Sequence, residues 1–269
     1  MTTPFTSDYH IHTKWCGHAS GETRDYVEAA VARGLTEIGF ADHLPVPCPV
    51  AEKLYMNREE LANYVAEVTL LQAEYAGRIR ILLAGECDFA PGKQREIEAA
   101  IAAFPLDYVI GSTHFINGWA FDHPAYRAAW DGLDPNDAFR RYYKLIEQAA
   151  HSGYYDVIGH LDLPKKFGYR PSDSIIEAEI AAADAIAKAG LAVEINTSGF
   201  DVPAAEQYPS ERILRLLFER NVPICFGSDS HRPEHIARHF DRARSLARSL
   251  GWNSVVRFEG RRRFSEPLA

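Results

Sequence analysis

The chain has 269 residues, 46% of them hydrophobic, which suits one large domain spanning residues 1–269 with a sizeable core. Its formal charge of −8 argues against nucleic-acid binding, which leaves a basic footprint. Met1 to Ser7 lack the charged start and apolar run of a signal peptide, and no apolar stretch reaches the length of a membrane span. Cys16, Cys48, Cys87 and Cys225 show no C-x-x-C spacing and read as reduced thiols of a cytoplasmic protein.

Asp8 to His12 opens the chain as a short strand, whose alternation turns His10 and His12 to one face. Glu22 to Arg33 has helical spacing, with Tyr26, Val27, Ala30 and Val31 facing inward and Gly34 as its stop. Leu35 to Phe40 is a strand ending in Ala41-Asp42-His43, and the three prolines of Pro45 to Pro49 force a loop. Asn57 to Tyr75 reads as a helix, and Ile79 to Leu83 as a strand running into Gly85-Glu86-Cys87-Asp88. Lys93 to Phe104 is helical, followed by the strand Tyr108 to Ile110 and the loop Gly111 to His114. The insertion Phe115 to Pro135 is rich in aromatic residues and suits either a substrate lid or a contact within a homo-oligomer.

Asn136 to Ser152 is a helix with Asp134 as cap, and Asp156 to Ile158 a strand ending at Gly159-His160. The loop Leu161 to Pro171 carries Lys165, Lys166 and Arg170. Ser174 to Ala189 is a helix stopped by Gly190, and Leu191 to Ile195 a strand ending in Asn196-Thr197-Ser198-Gly199. Ser210 to Arg220 is a helix, and Pro223 to Phe226 a strand leaving through Gly227-Ser228-Asp229-Ser230-His231. His235 to Leu250 reads as the last helix, Val255 to Phe258 as a short extended piece, and Arg261-Arg262-Arg263 as a solvated end. His151, His235 and His239 fall on predicted helices and read as solvent-facing.

Seven strand-then-helix units of this kind imply a parallel sheet. Six of the seven strands end in a histidine or carboxylate: His10 and His12, His43, Glu86, His114, His160, then Asp229 with His231. A closed barrel gathers these ends into one ring of loops, where barrel enzymes place their active sites, whereas an open sheet would hold its edge strands apart. With His18 from the first loop, nine nitrogen or oxygen donors converge. That exceeds the roughly three protein ligands of one catalytic zinc, so two or three ions of zinc, iron or manganese are expected, with a carboxylate bridging a pair. Paired ions are a standard device for phosphate-ester hydrolysis.

The segments Asp8-Tyr9-His10-Ile11-His12, Ala41-Asp42-His43, Gly85-Glu86, Gly111-Ser112-Thr113-His114, Gly159-His160-Leu161-Asp162 and Gly227-Ser228-Asp229-Ser230-His231 together resemble the polymerase and histidinol phosphatase (PHP) family. The resemblance covers nearly the whole chain. It implies an α/β fold, a distorted (β/α)7 barrel of the PHP-type, TIM-like kind, holding three divalent ions. One ion would sit on His10, His12, Glu86 and Asp229; a second would share Glu86 and take His114 and His160; a third would take His18, His43 and His231. Glu86, Asp229 and His231 would stand at the reaction centre, where metal-activated water attacks phosphorus.

Within the family, Gly159 to Phe167, Glu194 to Gly199 and Tyr208-Pro209-Ser210 look most like the histidinol-phosphate phosphatase branch. The implied activity is a phosphomonoesterase on a small-molecule phosphate ester, with L-histidinol phosphate leading. That branch usually carries basic residues after Asn-Thr-Ser-Gly, where this chain has Phe200-Asp201-Val202-Pro203. Lys165, Arg170 and Arg232 are candidate phosphate contacts, Asn196 and Ser198 candidates to orient substrate, and Asp122 a candidate partner for a substrate amine. The competing readings are a nuclease or nucleotide phosphoesterase, disfavoured by the acidic balance, and a non-catalytic metal-binding barrel, disfavoured by the complete donor set.

Overall fold

A computed structural model of the protein describes residues 6–46 and 54–268; Pro47, Cys48 and Pro49 lie outside the described residues. The strands are β1 (Ser7–Ile11), β2 (Glu37–Phe40), β3 (Arg80–Asp88), β4 (Tyr108–Ser112), β5 (Phe115–Ile116), β6 (Trp119–Ala120), β7 (Val157–Ile158), β8 (Ala192–Asn196), β9 (Ile224–Gly227), β10 (Ser254–Glu259) and β11 (Arg262–Pro267). The α-helices are α1 (Thr23–Ala32), α2 (Leu61–Glu74), α3 (Gln94–Ile101), α4 (Pro135–His151), α5 (Ile176–Ala189), α6 (Glu211–Glu219) and α7 (Phe240–Leu250). No described helix is long and apolar enough to cross a membrane.

A seven-stranded sheet runs in the order β1-β2-β3-β4-β7-β8-β9, every neighbour parallel. Its two edges meet through a bridge between Ile11 and Ser230, with His12 N donating to Ser230 O at 2.9 Å and Ser230 N to His10 O at 3.1 Å. The sheet is thereby closed into the expected (β/α)7 barrel. Asp8 reinforces this seam: its buried carboxylate accepts Ser228 N at 2.9 Å, Ser228 Oγ at 2.5 Å and Ala237 N at 2.9 Å. Burial drives the Asp8 carboxyl up to about 6 against these hydrogen bonds.

Helix limits follow periodicity and caps. On α4, Phe139, Tyr142, Tyr143, Ile146 and Ala150 recur at three- and four-residue steps and pack into the core, and Asp134 Oδ1 accepts Asn136 N at 2.9 Å as its cap. Gly190 ends α5 in the left-handed region at φ 69°. The final helix departs from expectation, beginning at Phe240 rather than His235. Ala237 at φ 50° and His239 at φ 57° are left-handed, a conformation that interrupts a right-handed helix. Residues 233–239 therefore form a short 3₁₀ turn and a bent segment.

Inside the barrel, opposite the end where the strands discharge their histidines, lies a compact aromatic floor. Tyr9, Tyr108 and Phe258 pack with ring centroids 5.0–5.4 Å apart, and Tyr108 donates to Tyr9 O at 2.6 Å. Gly39 makes room for this, since a Cβ there would lie 1.8 Å from the Tyr108 hydroxyl. Phe258 arrives on the antiparallel hairpin β10–β11, which sequence reading had reduced to one short extended piece. The basic run is exposed, as expected, but also anchored: Arg261 bonds Asp156 and, at 2.7 Å, Tyr154 O, while Arg263 reaches Gly190 O at 2.6 Å.

The floor generates a stability prediction. Phe258→Ala removes a fully buried ring and should cost about 3–5 kcal/mol, whereas Phe264→Ala on the exposed partner strand should cost under about 1 kcal/mol. Urea unfolding measures both; equal losses would mean that Phe258 does not anchor the barrel interior.

Candidate metal centre

Glu86 projects inward from β3 and is 1% exposed. Its two oxygens face different groups. Oε2 lies 3.3 Å from both His10 Nε2 and His12 Nε2 and 2.9 Å from His43 Nδ1. Oε1 lies 2.9 Å from His160 Nε2 and 3.7 Å from His114 Nε2, and accepts Ser112 Oγ at 2.5 Å. Asp229, leaving β9, sets Oδ1 3.5 Å from His12 Nε2, 3.9 Å from His10 Nε2 and 3.5 Å from His231 Nδ1. His18 and His231 face one another, Nε2 to Nε2, at 2.9 Å, and the His43 ring centroid is 5.5 Å from that of His18. All nine sequence-derived donors are thus gathered at one end of the barrel.

Sequence reasoning missed the carboxylates that orient these rings. Glu194, buried on β8, lies 2.8 Å from His10 Nδ1 and accepts the His160 backbone N–H at 2.9 Å. Gly227 provides the space, because a Cβ there would sit 1.7 Å from Glu194 Oε1. Asp88 lies 3.1 Å from His114 Nδ1 and accepts His114 N at 2.9 Å. A carboxylate on Nδ1 fixes the tautomer that offers Nε2 as ligand, the usual outer support of a metal-binding histidine. The available signal was alternation: Asp88 stands two residues from Glu86 and Glu194 two from Asn196, each on the same strand face.

The electrostatics fit a cation site. Burial would raise the Glu86 carboxyl, but His43, His10 and His114 outweigh it and hold the group well below its ordinary range. Asp229 is likewise held down, against burial, by His10, His12 and His231. Burial is overcome at His114 too, where Asp88 and Glu86 lift the imidazole to about 10. At His18, burial together with His43 and His12 depresses it to about 3. Nearby carboxylates outweigh burial at His10 and His12 and lift both imidazoles well above their ordinary range, which shows how strongly the site attracts positive charge. The Nε2 atoms of His10 and His12 approach to 3.0 Å and those of His18 and His231 to 2.9 Å, a convergence of ring nitrogens that suits a shared divalent ion. His10, His12 and Glu86 form one cluster of metal-ligating geometry, and His12, His43 and His231 another.

Above these donors opens a cavity of about 510 Å³. Ser198 and Asp122 line it. Asn196 sits beneath, donating to Asp229 Oδ2 at 3.4 Å and accepting Ser198 Oγ at 2.7 Å. Lys165, Arg170 and Arg232 are not among its lining residues. Lys165 is 1% exposed, bound to Asp162 at 2.9 Å and Gln207 O at 2.7 Å; Arg170 pairs with Glu206 and bonds Ala204 O at 2.6 Å; Arg232 is exposed beside the 233–235 turn. The cations that do line the cavity are Lys166, 3.0 Å from Asp122, and Arg238.

His235 also reaches the lining rather than solvent, because the helix assigned to it does not form; His239 contacts Asp201 Oδ1 at 2.8 Å, and His151 ends α4 exposed. The aromatic insertion forms one wall, with Phe115, Asp122 and Pro124 facing the cavity. It is secured by buried Trp130, which donates to Phe121 O at 2.8 Å and stacks on Tyr169 with centroids 4.6 Å apart. Cys16, Cys87 and Cys225 are buried free thiols.

A probable histidinol-phosphatase of Deinococcus radiodurans is 41% identical over 249 residues, covering 93% of this chain and 95% of that protein. The histidinol-phosphatase of Lactococcus lactis is 28% identical over 271 residues, covering 94% of each. Among solved structures, the L. lactis histidinol phosphate phosphatase complexed with zinc, L-histidinol and phosphate superposes with a TM-score of 0.82 at 26% identity, covering 96% of this chain and 98% of that one. The family profile described as PHP domain matches residues 8–198. By barrel, donor ring and sequence alike, the chain belongs to the PHP domain family.

Proposed function

We propose that this chain is a metal-dependent phosphomonoesterase that hydrolyses L-histidinol phosphate to L-histidinol and inorganic phosphate, in a cytoplasmic biosynthetic role. The observation that carries this reading is the division of Glu86, one oxygen toward His10 and His12 and the other toward His160 and His114. A carboxylate so placed suits the bridge of a metal pair. The zinc, histidinol and phosphate of the L. lactis structure support the same ester as substrate.

Three ions are proposed, of zinc, iron or manganese: one held by His10, His12, Glu86 and Asp229, one by Glu86, His114 and His160, and one by His18, His43 and His231. Such ions would lower the pKa of water toward neutrality and offset charge on the phosphoryl oxygens. The chain's own residues do the rest. Glu194 and Asp88 hold His10 and His114 by Nδ1, so that neither ring turns away from the centre. Ser198 and Asn196 keep Asp229 in place through its Oδ2. The lining alternates charge, Asp122 with Lys166 and Asp201 with Arg238, which suits a small substrate bearing both an anionic ester and cationic nitrogen.

Elemental analysis of metal-replete protein should find about three ions per chain; one or none would contradict the trinuclear reading. Glu86→Ala should abolish turnover and loosen two ions together, and Glu194→Gln should reduce activity or metal affinity about 10–100-fold. His151→Ala should leave both within a few fold, and damage comparable to that of Glu86→Ala would misplace the site.

The substrate is tested by comparing kcat/KM for histidinol phosphate, a neutral sugar phosphate, a nucleoside monophosphate and a short single-stranded oligonucleotide. Histidinol phosphate should lead. A neutral ester better by more than about tenfold would retain the chemistry and reject the substrate, and a leading oligonucleotide would favour the nuclease reading.

A further inference from the structure

Two lysine or arginine side chains face the cavity among the described residues, and they differ in setting. Lys166 is paired with Asp122 on the side of His114 and His160. Arg238 enters from the opposite side, beside Asp229, on the bent segment between β9 and α7. Its guanidinium is held as a plane: Nε donates to Ser228 O at 3.1 Å, Nη2 to Asp229 O at 3.3 Å and Nη1 to Asp201 Oδ2 at 3.0 Å, with His235 Nδ1 3.3 Å from Nη1. One Nη2 hydrogen is left without a partner among the described residues; the side chain is 15% exposed, and the residue lines the cavity.

Asp201 is the centre of this arrangement. It follows the Asn196-Thr197-Ser198-Gly199 turn and binds Arg238 through one oxygen and His239 through the other. Its neighbour Phe200 is clasped in the same way, with Arg242 stacked 3.8 Å from its ring centroid and His239 edge-on at 5.3 Å. The turn after β8 and the segment before α7 are therefore tied together, and the left-handed Ala237 and His239 flank Arg238 where a helix would have carried it elsewhere.

We propose that Arg238, aimed by Asp201, binds a phosphoryl oxygen of the substrate and of the phosphate product. The proposal rests on the phosphoesterase reading of the site. Arginine suits the task because its planar fork matches phosphate and its charge persists at any working pH. Two main-chain carbonyls and a carboxylate already restrain the group, so little side-chain entropy remains to be lost on binding. Asp201, exposed at 43%, neutralises the guanidinium only in part, in contrast to a pair sealed from solvent.

The test is calorimetric titration of inorganic phosphate into metal-replete wild-type, Arg238→Gln, Arg238→Lys and Asp201→Asn proteins, with metal content and melting temperature recorded, and KM and kcat measured on p-nitrophenyl phosphate. Arg238→Gln should weaken phosphate about tenfold or more, the size of a lost charge-assisted hydrogen bond, and raise KM more than it lowers kcat. Arg238→Lys should recover part of the affinity, and Asp201→Asn should show a smaller loss. Phosphate affinity within about twofold of wild type in folded, metal-replete Arg238→Gln overturns the proposal, as does a loss that only tracks lost metal. Should Arg238→Gln fail to fold, Arg238→Lys decides, and an unchanged affinity there overturns it too. Histidinol phosphate is absent from this experiment, so a chain that ignores that ester yet loses phosphate affinity with Arg238 refutes the substrate reading and upholds this one.

Discussion

A carboxylate as deeply buried as Glu86 stays ionised only where positive charge or strong donors compensate the lost water. Here the compensation comes from histidines delivered by four other parts of the chain: β1 and the exits of β2, β4 and β7. That one requirement organises the barrel. Closing the sheet through Ile11 and Ser230 brings His10 and His12 beside Asp229, and the Asp8 carboxylate ties the same seam together from below. The aromatic floor of Tyr9, Tyr108 and Phe258 fills the opposite end, so the strands converge on a packed interior rather than on water.

The glycines show how tightly the two halves are fitted. Gly39 leaves space for the Tyr108 hydroxyl and Gly227 for Glu194, and a methyl group at either would strike a side chain that supports the site. Glu194 in turn steadies His10 and the backbone of His160, which belong to different sides of Glu86. Orientation of the clustered histidine rings is thus shared between carboxylates that a list of candidate ligands leaves out.

Much of this was legible in the sequence because its causes are local. Alternation put His10 and His12 on one face, and amphipathic spacing with Asp134 and Gly190 marked helices to within a few residues. What escaped has non-local or unsigned causes. Neither Ala237 nor His239 advertises a left-handed backbone, so the start of α7 was misplaced, and with it His235 and Arg238. Lys165 looked like a phosphate contact, but Asp162 and the Gln207 carbonyl, both supplied by folding, consume its charge. The hairpin that carries Phe258 turns at Gly260 and Arg261, and only the first is a residue type that signals such a turn. The departure from the histidinol-phosphate branch at Phe200-Asp201 also acquires a physical meaning, since Asp201 grips Arg238 and so places a cation over the site from another element.

The central claim is that Glu86 bridges two ions while a third rests on His18, His43 and His231. Anomalous diffraction from crystals of the metal-replete protein, recorded on both sides of the absorption edge of the bound element, tests it most directly. The account predicts three peaks, two of them contacting different oxygens of Glu86 and the third among those histidines. A single peak, or two that both avoid one oxygen of Glu86, would contradict it.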